Sequence, residues 1–114
     1  MNQDTEINIF KSLDFIRDQA PVYAKAKADR VYLEQYRKTK KALGMRKAEL
    51  EGHKASAAQE REAYADEDYI ELLNGLREAV EVEERLRWMI VAAQAKIEVW
   101  RTIEANRRAE AKTL

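Results

Sequence analysis

The chain has no cysteine, one histidine, one proline and three glycines in 114 residues. Each shortage excludes something. Without cysteine there is no disulfide framework and no thiolate metal site, and the chain suits a reducing cytoplasm. With His53 as the single histidine, nucleophile–histidine catalysis has little material. So few glycines and prolines leave too little turn punctuation for a strand-rich fold. The longest uncharged run, WMIVAAQA at 88–95, is far too short to cross a bilayer. No basic region followed by an apolar stretch opens the chain, so no signal peptide is expected. Gly-rich phosphate loops are missing as well.

What is present is charge and helix formers. Charged residues make up 37% of the chain, 21 of each sign. Ala, Glu, Lys, Leu and Arg dominate, as in long helices and coiled coils, and the length bounds the chain to one domain. The charge is blocked rather than mixed. Residues 22–54 carry ten bases and four acids, residues 55–84 ten acids and two bases, and residues 85–114 seven bases and three acids.

Asp4 and Thr5 offer an N-cap to a short amphipathic helix over about 5–19, with Ile9, Phe10, Leu13 and Ile16 at helical spacing. Pro21 disfavours helix at Ala20 and suits the first turn of a second helix, over about 21–52; a kinked continuation is the alternative. Gly44 and Gly52 each weaken this helix by up to about 1 kcal/mol relative to alanine, and Gly52 is a natural stop. The turn region is expected at about 53–67. Within it Ser56 and Gln59 have capping-box spacing, and YADEDY at 64–69 is the main reversal, with Asp66 or Asp68 capping the last helix. That helix then runs over about 67–109. The expected fold is all-α: an antiparallel long helical hairpin, coiled-coil-like, with a short N-terminal helix.

The last helix carries two apolar stripes. Leu72, Leu76, Ala79, Leu86, Ile90, Ala93, Ile97 and Trp100 fall on one face, with Glu83 the one charged intruder. Trp88, Ala92, Ala95, Val99 and Ile103 form a second stripe, nearly opposite. A helix apolar on two faces must be covered on both. One face packs against the second helix; the other predicts contact between copies, hence a homo-oligomeric bundle of dimer size or larger. The competing arrangement has the first helix folding back to close a monomeric three-helix bundle.

Little here supports catalysis, and no enzyme, cofactor or small-molecule substrate is expected. Glu49 and His53 are four apart, not the three of a di-iron bundle motif, so no metal site is assigned. Glu78, Glu81 and Glu84 recur every three residues but lack companion acids on a second helix. A basic stripe is the stronger pattern: Lys27, Arg30, Arg37, Lys38 and Lys41, near Tyr32 and Tyr36, with Arg107 and Arg108 joining from the last helix. Cations neutralise phosphates and aromatic faces stack on bases, which is the chemistry of a single-strand groove. The bland reading of the same stripe is a solvated helix face.

RVYLEQYRKTKKAL at 30–43, together with residues 55–108 around QEREAYADEDY and the helix ending in VWR, resembles small bacteriophage and prophage proteins of early recombination and replication regions. The resemblance covers about two-thirds of the chain and carries no catalytic motif. It implies a phage accessory protein in the host cytoplasm, assisting single-stranded DNA handling or a recombinase partner. The alternative is a protein-interaction module, an inhibitor or adaptor that binds a host protein through the acidic turn end at 60–71.

Overall fold

The structure is a computed structural model and describes residues 7–113. It is an all-α helical hairpin of three helices, α1 (Ile9–Leu50), α2 (Ser56–Ala65) and α3 (Glu67–Thr113). No strand occurs among the described residues.

The first difference from expectation is that one long helix stands where two were expected. α1 runs through Pro21 without interruption. The cost of a proline inside a helix is offset because the packing positions keep their period across it: Phe15, Gln19 and Tyr23 are half-buried at steps of four, while Pro21 itself faces outward. The helix is capped by Asn8, whose Oδ1 accepts the Lys11 N–H at 3.1 Å. Asp4 and Thr5 lie outside the described residues.

α1 ends where glycine permits it to end. Gly52 has φ +107°, in the left-handed region. The His53 N–H bonds the Ala48 carbonyl at 3.0 Å and the Gly52 N–H bonds that of Glu49 at 3.1 Å. This pair of bonds is a Schellman stop, and it satisfies two carbonyls that a helix end leaves open.

The reversal expected near 64–69 is made in two steps, with α2 between them. Ser56 and Gln59 do not form a capping box. Ser56 is the first helical residue rather than the cap, Ala55 holds the cap position without a side-chain bond, and the Gln59 amide donates instead to the His53 carbonyl at 2.9 Å. At the second step Asp66 leaves the helical region with ψ 133°. Its carboxylate accepts the Asp68 N–H at 2.9 Å, which makes it the N-cap of α3, with Glu67 and Asp68 in the first turn where the helix dipole favours acids.

The described residues form two compact units. One is Lys25–Glu83; the other comprises the described residues up to Ala24 with those from Glu84 onward. In the first, α2 lies against α1 through small residues. Ala63 and Ala48 are buried, and Gly44 meets Ala63 so closely that a methyl group at residue 44 would sit 2.9 Å from the Ala63 Cβ. Tyr69 is buried and makes an edge contact with Tyr64 at 5.4 Å between ring centroids. α1 and α3 run antiparallel in this unit, since Lys40 pairs with Asp68 and Arg30 with Glu83. In the second unit Ser12 and Ala93 are buried, and Lys11, Ser12 and Phe15 of α1 line one groove with Met89, Ala92, Ala93 and Lys96 of α3.

The core is thin. Its buried apolar residues are Ala26, Ala48, Ala63, Tyr69 and Ala93, and no large side chain is fully buried among the described residues. Alanines bury little area, so hydrophobic stabilisation within one chain is small for its length.

Candidate interaction surfaces

The first stripe of α3 lies where the pattern puts it. Leu72, Leu76, Ala79, Leu86, Ile90, Ile97 and Trp100 are half-buried and Ala93 is buried. The second stripe is open: Trp88 is 58% exposed, Val99 is 51% exposed, Ala92 and Ala95 are exposed, and only Ile103 is half-buried. Trp88 is held in place from one side. The Arg87 guanidinium lies 4.5 Å from the indole centroid and is itself bonded by Glu84 at 2.9 Å. One ring face is thereby covered and the orientation set. Among the described residues fifteen large apolar side chains are exposed, Phe10 (73%) and Leu13 on α1 among them.

Glu83, the charged intruder in the first stripe, has a partner that pattern reading assigned elsewhere. Its carboxylate takes a fork from Arg30, Nε to Oε2 at 2.6 Å and Nη2 to Oε1 at 2.9 Å, and Arg30 also bonds Glu34 at 3.0 Å. The Glu83 side chain is only 7% exposed and that of Arg30 is 24%. Hydrogen bonding to Glu83 first, then to Glu34, strengthens the arginine's hold on its proton. A carboxylate at seam spacing on one helix demands a cation on the other, and this was the available signal.

That pair alters the basic stripe. Arg30 is an internal tie. Lys41 bonds Glu60 at 2.8 Å and lies 4.9 Å over the Tyr64 ring. Lys27, Arg37, Lys38 and Arg108 are exposed; Arg107 is exposed too and bonds Glu104 at 2.9 Å. Tyr32 and Tyr36 stack on each other with centroids 6.0 Å apart and planes 8° apart. At 100° per residue they stand about 120–160° around α1 from Lys38, so bases and rings do not share one groove. Tyr32 instead lines a groove with Asp29, Leu33, Gly75 and Glu78.

The acidic turn end is met by lysines of α1. Besides Lys41–Glu60, Lys40 pairs with Asp68 at 3.5 Å and Lys47 with Asp66 at 3.7 Å. Glu60 is held below the usual carboxylate range, first by the Lys41 hydrogen bond and then by its charge. Asp66 is lowered first by the Asp68 N–H and also by the Tyr69 N–H and the charges of Lys47 and Lys40. Lys41 is raised, chiefly by its bond to Glu60.

These shifts set the sign of the pH dependence. Depressed carboxylates stabilise above their ordinary values, 4.5 for Glu60 and 3.8 for Asp66, and the contribution is lost as pH falls through the folded values. A raised lysine stabilises below 10.5, and its contribution is lost as pH climbs through the folded value. Carboxyl NMR titration is expected to show Glu60 below its ordinary value in the native protein and back near it in Lys41→Met. A Glu60 that titrates alike in both proteins would refute the Lys41–Glu60 pairing.

No group of three or more His, Asp or Glu among the described residues is placed to hold a metal ion. His53 serves the turn: its N–H bonds Ala48 and its carbonyl accepts Gln59. Glu78 and Glu81 are exposed, and Glu84 holds Arg87. No helix among the described residues is long and apolar enough to cross a membrane. Compared with known proteins, the chain matches no family model, no curated protein and no solved structure.

Proposed function

We propose that this is a non-enzymatic interaction protein whose working form is an assembly of copies joined through the second face of α3, along Trp88, Ala92, Ala95, Val99 and Ile103. The observation that carries the reading is the exposure of Trp88 and Val99 on a helix whose other face is already packed. Water around an indole and a valine on one line is unfavourable, and a second apolar surface relieves it. With so thin a core, each chain also gains proportionally more from a partner than a well-filled domain would. Sedimentation at micromolar concentration is expected to show a dimer or larger species. The variant Ala92→Glu/Ala95→Glu should run as a monomer with its helical circular dichroism retained. A monomeric native protein would end this reading.

A second reading concerns what the assembly serves. The likeness to phage early-region proteins supports an accessory role in the host cytoplasm at DNA recombination or replication, through single-stranded DNA or a recombinase. The exposed bases available for anion contact are Lys27, Arg37, Lys38, Arg107 and Arg108. Fluorescent single-stranded oligonucleotide is expected to bind at low salt and to weaken steeply as salt rises, because phosphate neutralisation releases counterions. Lack of salt-sensitive binding at micromolar protein removes the DNA role and leaves the assembly.

A further inference from the structure

We infer that two copies meet through α3 in antiparallel orientation, Trp88 of each against Val99 of the other and Ala92 of each against Ala95 of the other. This rests on the self-association reading and adds the direction and register of the pair.

The spacing of the open stripe is the first argument. Residues 88, 92, 95 and 99 are separated by four, three and four, a series that reads the same in both directions. Turning one helix end for end therefore maps the stripe onto itself and generates an isologous, closed twofold contact. Each outer layer then pairs an indole with a valine, and both inner layers pair two alanines. The packing is of even thickness at the two ends and close in the middle. The parallel arrangement in register sets Trp88 against Trp88 of the second copy and Val99 against Val99 of the second copy. Such a contact is wide at one end and narrow at the other, and interiors packed to crystal density do not tolerate the void that this leaves.

Charge is the second argument, and it is independent of side-chain size. α3 carries seven acids and one base over 67–84, then seven bases and three acids over 85–113. Antiparallel pairing about the middle of the stripe sets residues 74–84, with four acids and one base, beside residues 103–113 of the second copy, with three bases and two acids, while residues 85–102 meet their own counterpart in either orientation. Parallel pairing sets acid on acid and base on base. Glu81 and Arg85 continue the stripe toward its N-terminal side at the same helical spacing. In the parallel pair each would face its own like charge; in the antiparallel pair they come opposite Asn106 and Thr102 of the second copy. Like charges placed together give negative specificity, and opposite charges fix orientation. The opposed helix dipoles favour the same choice.

The third observation is that the face is prepared for a partner. Arg87, held by Glu84, lies over the Trp88 ring, and the indole is still 58% exposed. α1 borders the contact without covering it: Lys11, Ser12 and Phe15 share a groove with Met89, Ala92 and Ala93, yet Ala92 stays exposed, as do Trp88, Ala95 and Val99.

The chain has no cysteine, so single-cysteine variants label cleanly. Gln94→Cys and Lys112→Cys, each carrying a nitroxide, are measured by double electron–electron resonance, with sedimentation on the same samples. Residue 94 lies at the twofold axis, so its labels should be within about 25 Å, the 8–10 Å between helix axes plus two label arms. Residue 112 is far from the axis, and its labels should be separated by about 55 Å along the helices at 1.5 Å per residue. Short separations at both positions in a dimer overturn the antiparallel inference and leave self-association standing. Long separations at both overturn the register and place the contact off the α3 stripe. Monomeric samples defeat the inference together with the reading beneath it.

Discussion

Replacing Arg30 by methionine is expected to lower the thermal midpoint by roughly 10 °C or more in a circular dichroism melt, the largest effect of any single change outside the stripe. The reason is what stays behind. Glu83 keeps its position between α1 and α3 with a side chain 7% exposed, and it loses both bonds of the guanidinium fork. A buried carboxylate that loses a forked guanidinium gives up much of its charge compensation in a poor medium or takes up a proton, and both cost stability. Every buried side-chain polar atom among the described residues has a partner in the native protein, and this substitution takes two bonds from a single carboxylate. The double variant Arg30→Met/Glu83→Leu is expected to recover to the native midpoint or above, since two apolar side chains of similar volume avoid the desolvation of two ions. The pattern of a damaging single change and a mild double change identifies the pair. If Arg30→Met alone melts within a degree or two of the native protein, Glu83 is not buried in solution.

The second large effect is at Gly44, and its sign is opposite to what helix propensity dictates. Alanine at an interior helical position ordinarily improves on glycine by up to about 1 kcal/mol. At residue 44 the new methyl would lie 2.9 Å from the Ala63 Cβ and 3.0 Å from the Ala63 Cα. The second of these is backbone and has no rotamer to escape into, so α2 must move as a body and disturb the Lys41–Glu60 bond and the Tyr64–Tyr69 contact beside it. Gly44→Ala is expected to destabilise by about 1–3 kcal/mol in denaturant titration, as overpacking does. Gly75→Ala is the control. It is the same substitution inside α3, where an added methyl meets nothing within 4 Å, and it should stabilise by up to about 1 kcal/mol. Should both variants shift the midpoint the same way, the close approach of α1 and α2 at Gly44 is wrong.

These two sites show where reading the chain succeeds and where it stops. The helix-rich composition, the scarcity of turn residues and the 3–4 period of Leu72 through Trp100 point to a long helical hairpin, and the structure has one. Asp66 as a cap and Gly52 as a stop were legible because their chemistry is local: a carboxylate near open N–H groups, and a residue that accepts positive φ. Pro21 misled, because its penalty is also local, whereas the packing that carries α1 through it is spread over several turns. The basic stripe misled in a related way. Lys27 through Lys41 read as one electropositive surface until the opposing helices were present, and then Arg30 belonged to Glu83 and Lys41 to Glu60. Gly44 looked like a weak point in a helix because its function is to admit Ala63, nineteen residues on.

The two apolar faces of α3 come from the order of the residues alone, because a 3.6-residue period converts sequence spacing directly into angle around an axis. Which of those faces α1 occupies, and so which is left for a partner, was decided only by tertiary structure. So were the identity of the cation opposite Glu83 and the reason for a glycine at residue 44. Each of these depends on a residue far away in the chain, and contact between distant residues is set by the packing of whole helices, which no local spacing encodes.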